Sequence, residues 1–120
     1  MSRRYDADTD RLIVLSDMHR GKRDRADDFQ PCEEAYLRAL DYYLEDGYTL
    51  AMLGDVEELW KSPPDAVIAA YPEVYEREAA FHTAGRMLRF WGNHDEEWAS
   101  PILVEQKLGP VNQALSLIHI

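Results

Sequence analysis

Gly92-Asn93-His94-Asp95 follows directly on the apolar run Met87-Leu88-Arg89-Phe90-Trp91, and the fold turns on this stretch. A short apolar run that ends in glycine and metal-ligating side chains reads as a buried strand emptying into a loop. Two junctions upstream repeat the arrangement. Leu12-Ile13-Val14-Leu15 leads into Ser16-Asp17-Met18-His19, and Leu50-Ala51-Met52-Leu53 leads into Gly54-Asp55-Val56-Glu57-Glu58. With helical sequence between them, these runs predict an α/β fold in β-α-β-α-β order on a parallel sheet. All three loops then fall at the carboxyl edge of the sheet, where open α/β folds bind ligands.

The intervening sequence supports that order. Residues 1–10 are polar and read as frayed, and residues 11–16 read as a fully buried strand. Tyr36, Leu37, Leu40, Tyr43 and Leu44 recur on one helical face, with Asp28 as candidate cap, Pro31 in the first turn and Gly47 at the end. Residues 48–53 form the second strand. A helix capped by Asp65 begins at Ala66, is interrupted by Pro72, and runs on to Gly85; His82 on it reads as structural or exposed. A last helix spans about Glu96 to Leu108, with a break near Pro101.

Composition narrows the function. The 120 residues provide one small domain or part of a larger one, and 46% apolar content suits a globular chain. A net charge of −10 argues against a broad nucleic-acid surface. It leaves room for a phosphate substrate, because bound divalent cations invert the local field. Cys32 is the single cysteine, which excludes a disulfide within the chain, implies a reduced cytoplasmic setting and reads as a small buried apolar residue. No apolar run reaches the roughly 18 residues of a membrane span, and the polar start has no signal-peptide core.

The three loops carry the chemistry. Asp17 and His19, two apart where a strand turns into a loop, can reach one point, and a carboxylate with an imidazole suits Mn, Fe or Zn. The plainer reading of that pair alone is a polar loop. Two cations can clamp the attacking and leaving oxygens of a phosphoryl displacement. Asp17 and His19 are then ligands to the first, Asp55 the bridge, and the Asn93 amide oxygen a ligand to the second. His94 is the candidate general acid, with Asp95 orienting its ring. Arg20, Lys22 and Arg23 stand in a basic run that is either a solvated loop or an anion-steering rim.

Asp17-x-His19, Gly54-Asp55-x-x-Glu58 and Gly92-Asn93-His94-Asp95, in this order, resemble the first three motif blocks of the calcineurin-like metallophosphoesterases. The resemblance covers about residues 12–98. It implies the N-terminal half of an α/β-β/α sandwich, a dinuclear centre (manganese first, iron or zinc as alternatives) and hydrolysis of a phosphate ester or pyrophosphate. It assigns the same roles to Asp17, His19, Asp55, Asn93 and His94. The implied substrate is a phosphorylated small molecule or lipid headgroup. Gly54-Asp55-Val56-Glu57-Glu58 departs from the Gly-Asp-x-x-Asp-Arg-Gly of the serine/threonine phosphatases, while Glu58 and Trp60 are spaced as in bacterial UDP-diacylglucosamine pyrophosphatases.

The family's later histidine blocks do not occur in these residues. The last six, Leu115-Ser116-Leu117-Ile118-His119-Ile120, are the translation of CTG TCT CTT ATA CAC ATC, the end of a transposon library adapter. Residues 1–114 are therefore expected to be a partial domain and residues 115–120 a non-native tail, with activity belonging to the parent enzyme. The alternative reading is a non-catalytic fragment or binding module that keeps only the remnant of the fold.

Overall fold

The computed structural model describes residues 10–116. These residues form a small α/β domain with a three-stranded parallel sheet and four helices. Strands β1 (Leu12–Leu15), β2 (Thr49–Met52) and β3 (Met87–Arg89) lie in the order β1-β2-β3. Leu12 stands beside Thr49, and Leu50 beside Met87. The central strand is buried at every residue, as its apolar run requires. The outer strand β1 is not fully buried. Alternate side chains point to opposite faces of a sheet, and only Ile13 and Leu15 pack on the core. Leu12 is 39% and Val14 53% exposed on the other face.

Helix α1 (Glu33–Glu45) connects β1 to β2 through a 3-10 turn at Gln30–Cys32. Its approach is capped by Asp27 and not by the exposed Asp28. Oδ1 of Asp27 accepts the backbone N–H groups of Phe29 (2.9 Å) and Gln30 (3.1 Å). Tyr36 and Leu40 are buried, and Leu37, Tyr43 and Leu44 lie against the core. Gly47, at φ +80°, ends the helix in the left-handed conformation that a side chain disfavours. Cys32 is exposed, contrary to the buried position expected for it, because it precedes the first full turn of α1.

Helices α2 (Pro64–Ala70) and α3 (Pro72–Thr83) connect β2 to β3. The first begins at Pro64, two residues ahead of Ala66, because proline's fixed φ suits the first helical position; Asp65 lies inside the helix. After β3 the expected long helix is broken. It becomes a 3-10 turn (Glu96–Ala99), the short α4 (Pro101–Leu103), a π turn (Val104–Leu108) and a closing 3-10 turn (Gly109–Val111). Pro101 has no N–H to continue a helix from residue 97, and Ser100 restarts it by accepting the Leu103 N–H on its hydroxyl.

Among the described residues, no helix is long and apolar enough to cross a membrane. Of the expected non-native tail, Leu115 packs against the core and Ser116 lies beside β3. The Ser116 N–H donates to Arg89 O (2.7 Å), and its Oγ accepts from Arg89 N (3.1 Å). The polar start over residues 1–9 and the tail residues 117–120 lie outside the described residues.

Among the described residues, five carboxyl or guanidinium side chains are fully buried: Asp95, at the third loop, and Arg20, Glu57, Glu78 and Arg89, which pair inside the core. Arg20 grips Glu78 with Nη1 (3.2 Å) and Nη2 (2.6 Å), and Glu78 also accepts from Tyr36 OH (2.6 Å) and Gln113 Nε2 (3.1 Å). Nη2 of Arg89 lies 2.5 Å from both oxygens of Glu57, which accepts further from Tyr75 OH (2.5 Å) and Trp98 Nε1 (2.9 Å). Nη1 of Arg89 donates to Gln113 Oε1, joining the two ion pairs into one network. The pairing and hydrogen bonds offset part of the cost of burial, although Nε of Arg20 and of Arg89 has no partner among the described residues.

Candidate metal centre

The three strand ends are stitched together through the backbone. Asp17 N–H donates to Gly54 O (3.2 Å), His19 N–H to Asp55 O (2.9 Å) and Arg20 N–H to Val56 O (2.8 Å). Leu59 N–H donates to His94 O (2.9 Å), and His94 N–H to Asp55 Oδ1 (2.9 Å). Two glycines make this approach feasible. A Cβ on Gly54, which sits at φ +115°, would lie 2.6 Å from Gly92 N, and one on Gly92 would lie 2.5 Å from Asp55 Oδ1. Asp17, His19 and Asp55 adopt φ of 56°, 47° and 52°, a left-handed backbone that is strained for residues with a side chain. Such strain concentrates where structure is held for function.

The donors converge above these turns. Asp17, His19 and Asp55 each place one ligand atom within 4.8 Å of the others, and His19, Glu58 and His94 do the same. Nε2 of His19 is 3.6 Å from Asp17 Oδ1. The Ser16 hydroxyl, hydrogen-bonded to Asp17, holds that carboxyl below its usual range, so it is ionised at neutral pH.

Glu58 organises both histidines. Its Oε1 lies 2.7 Å from His94 Nδ1 and 3.3 Å from His19 Nδ1, and the residue is 4% exposed. Burial pushes its carboxyl up, but hydrogen bonds from His94 and His19 outweigh that and hold it below the usual glutamate range. An ionised carboxylate only accepts, so each Nδ1 carries a proton and each Nε2 is left for a cation or a moving proton. The imidazoles meet edge to face at 4.5 Å. Trp60 stacks on His94 at 3.7 Å and donates Nε1–H to Asn93 O (2.8 Å). Sequence reasoning placed Glu58 in a motif but gave it no task; the signal was a carboxylate three residues after Asp55.

Asp95 does not orient His94. Its carboxylate turns inward and accepts three backbone N–H groups: Gly92 (2.6 Å) and Asp55 (3.1 Å) on Oδ1, and Val56 (3.0 Å) on Oδ2. A carboxylate three residues beyond Gly92 is short enough to fold back on its own turn. Asp95→Asn removes one acceptor and sets an amide N–H₂ against backbone donors. We expect a loss of about 1–3 kcal/mol in urea unfolding, the cost of an unsatisfied buried group.

The expected basic rim does not form as read. Arg20 is buried in the core, where it pairs with Glu78. Arg23 bonds Glu33 (2.7 Å) and Ala70 O (2.7 Å) over the Tyr71 ring, while Lys22 is exposed. Asn93 is exposed and lines an open cleft of about 420 Å³ with Asp17, Asp55, Gly92, Trp91 and Glu96.

The donor set fits divalent cations. Two carboxylates and an imidazole form a mixed oxygen and nitrogen set suited to manganese, iron or zinc. Glu58 Oε2 beside them is buried without a hydrogen-bond partner. Asp17, His19 and Asp55 could together hold one ion. Comparison of the chain with protein-family models, curated proteins and solved structures returned no match.

Proposed function

We propose that the chain carries the first three ligand-bearing loops of a calcineurin-like metallophosphoesterase, the N-terminal half of its α/β-β/α sandwich. Its reaction is hydrolysis of a phosphate ester or pyrophosphate. The observation that carries this reading is the gathering of Asp17, His19 and Asp55 at the carboxyl edge of one parallel sheet, with ligand atoms within 4.8 Å. Two divalent cations, manganese first, would supply charge for the attacking and leaving oxygens and lower the pKa of water. The protein's own part is positional. Glu58 accepts from Nδ1–H of His94 and Trp60 stacks on its ring; in its doubly protonated form His94 would give the Nε2 proton to the leaving oxygen and be left neutral, with Nδ1–H still held by Glu58.

Asp17, His19, Asp55 and Asn93 are too few donors to fill two coordination shells. Turnover by these 120 residues alone is therefore expected to be slight, whereas phosphate binding needs only a held cation. In ³¹P NMR, the chain with Mn²⁺ should broaden inorganic phosphate beyond the effect of free Mn²⁺, and Asp55→Asn should abolish the excess. Equal broadening with and without protein would sink the proposal.

A further inference from the structure

We infer that the substrate's organic group is apolar and uncharged, an aryl group above all, and that it lies in the groove between the Ser16–His19 loop and the start of α1. This rests on the phosphoesterase reading. The groove has a volume of about 420 Å³ and shares Asp17 with the polar cleft, so a phosphate held at Asp17 can extend its ester group into it.

The walls of the groove are Met18, Phe29, Ala35 and Tyr36, with Cys32 at the rim. Two of them are packed in place by the core. Phe29 packs edge to face on Tyr36 (5.1 Å) and Tyr71 (5.2 Å), and the buried Arg20 guanidinium sits 4.7 Å from the Phe29 ring centre. Tyr36 is pinned through its hydroxyl to Glu78 (2.6 Å). A preformed apolar wall binds without the entropy cost of ordering itself. Charge then selects the occupant. Among the described residues, the carboxyls lining the groove are Asp17 and Asp28, and no lysine or arginine lines it. Beyond the cation held at Asp17 and His19, a second phosphate or a carboxylate on the organic group would meet Asp28, with no lysine or arginine on the lining to offset it. An aromatic ring in the groove would lie against Met18 and Ala35 and the small part of Phe29 and Tyr36 left uncovered (3% and 9% exposed).

The test compares two probes with the same anionic group. Phenylphosphonate should bind the Mn²⁺-loaded 120-residue chain about tenfold more tightly than methylphosphonate in isothermal titration, the gain from partial burial of one ring. Ala35 is exposed on α1, and Ala35→Trp should fill the groove, remove the difference and leave methylphosphonate affinity unchanged. Cys32→Phe, at the rim, should act in the same direction and guards against a folding failure of the first variant. Equal affinities on the unaltered chain, or a difference that survives both variants, would overturn the inference while leaving the phosphate site standing. If neither phosphonate binds, the phosphoesterase reading falls with it.

Discussion

Arg89→Ala is expected to lower the unfolding free energy by about 3–5 kcal/mol, the cost of removing one partner from a buried ion pair. Glu57 would keep Tyr75 and Trp98 as donors but lose its paired cation, leaving only the influence of Arg20, which is itself paired with Glu78. The same substitution strands Gln113, which links this pair to Arg20 and Glu78. A surface pair should behave differently. Breaking Lys107–Asp65, where the Asp65 side chain is 73% exposed, is expected to cost less than about 1 kcal/mol. Urea unfolding of Arg89→Ala and Asp65→Ala side by side checks the contrast. Equal, small losses would mean that the buried network contributes little.

The network also sets an acid limit. Burial pushes the Glu57 carboxyl up, but the Arg89 guanidinium and then Arg20 outweigh it, so its folded pKa lies below the ordinary 4.5. A depressed carboxylate pKa gives stability that is full above the unfolded value and lost as pH falls through the folded one. The Glu57 contribution should therefore be lost below about pH 4.5, against the opposite contribution of Asp95, whose carboxyl burial raises to about 6, and Glu57→Gln should remove the Glu57 part of the profile.

The sheet and its ligand loops were legible because each strand is a short apolar run that stops at a polar turn residue. Leu53-Gly54-Asp55 and Trp91-Gly92-Asn93 announce the turn through glycine, and the structure uses both glycines for close backbone approach. The buried charges were not legible. Arg20 and Glu57 sit next to candidate site residues and look like part of the same polar loops. Their partners Glu78 and Arg89 are 58 and 32 residues away, so pairing could not be read from local spacing. The tasks of Glu58 and Asp95 were hidden for a related reason. Which carboxylate reaches His94 depends on where two loops meet, and the loop geometry sends Asp95 to the backbone and Glu58 to the rings. The exposed side of β1 escaped as well, since four consecutive aliphatics read alike at the centre and at the edge of a sheet.

The second large effect concerns the cation. Asp55 is tied to the backbone of the third loop through His94 N–H and faces Asp17 and His19, so its carboxylate joins two of the three loops. Asp55→Asn keeps the shape and removes the charge; His19→Ala removes the nitrogen donor. Each should weaken Mn²⁺ binding by at least about tenfold, since even residues that only orient ligands cost that much. In an acidic chain, loosely held cations are the competing explanation, and Asp65→Ala, an exposed carboxylate on α2, serves as the control. Titrating Mn²⁺ into the 120-residue chain, with the free-ion EPR signal as readout, tests this most directly. Saturable binding is expected in the unaltered chain, lost in Asp55→Asn and His19→Ala and kept in Asp65→Ala. Binding of the same strength in all four proteins, or no saturable binding in any, would contradict it.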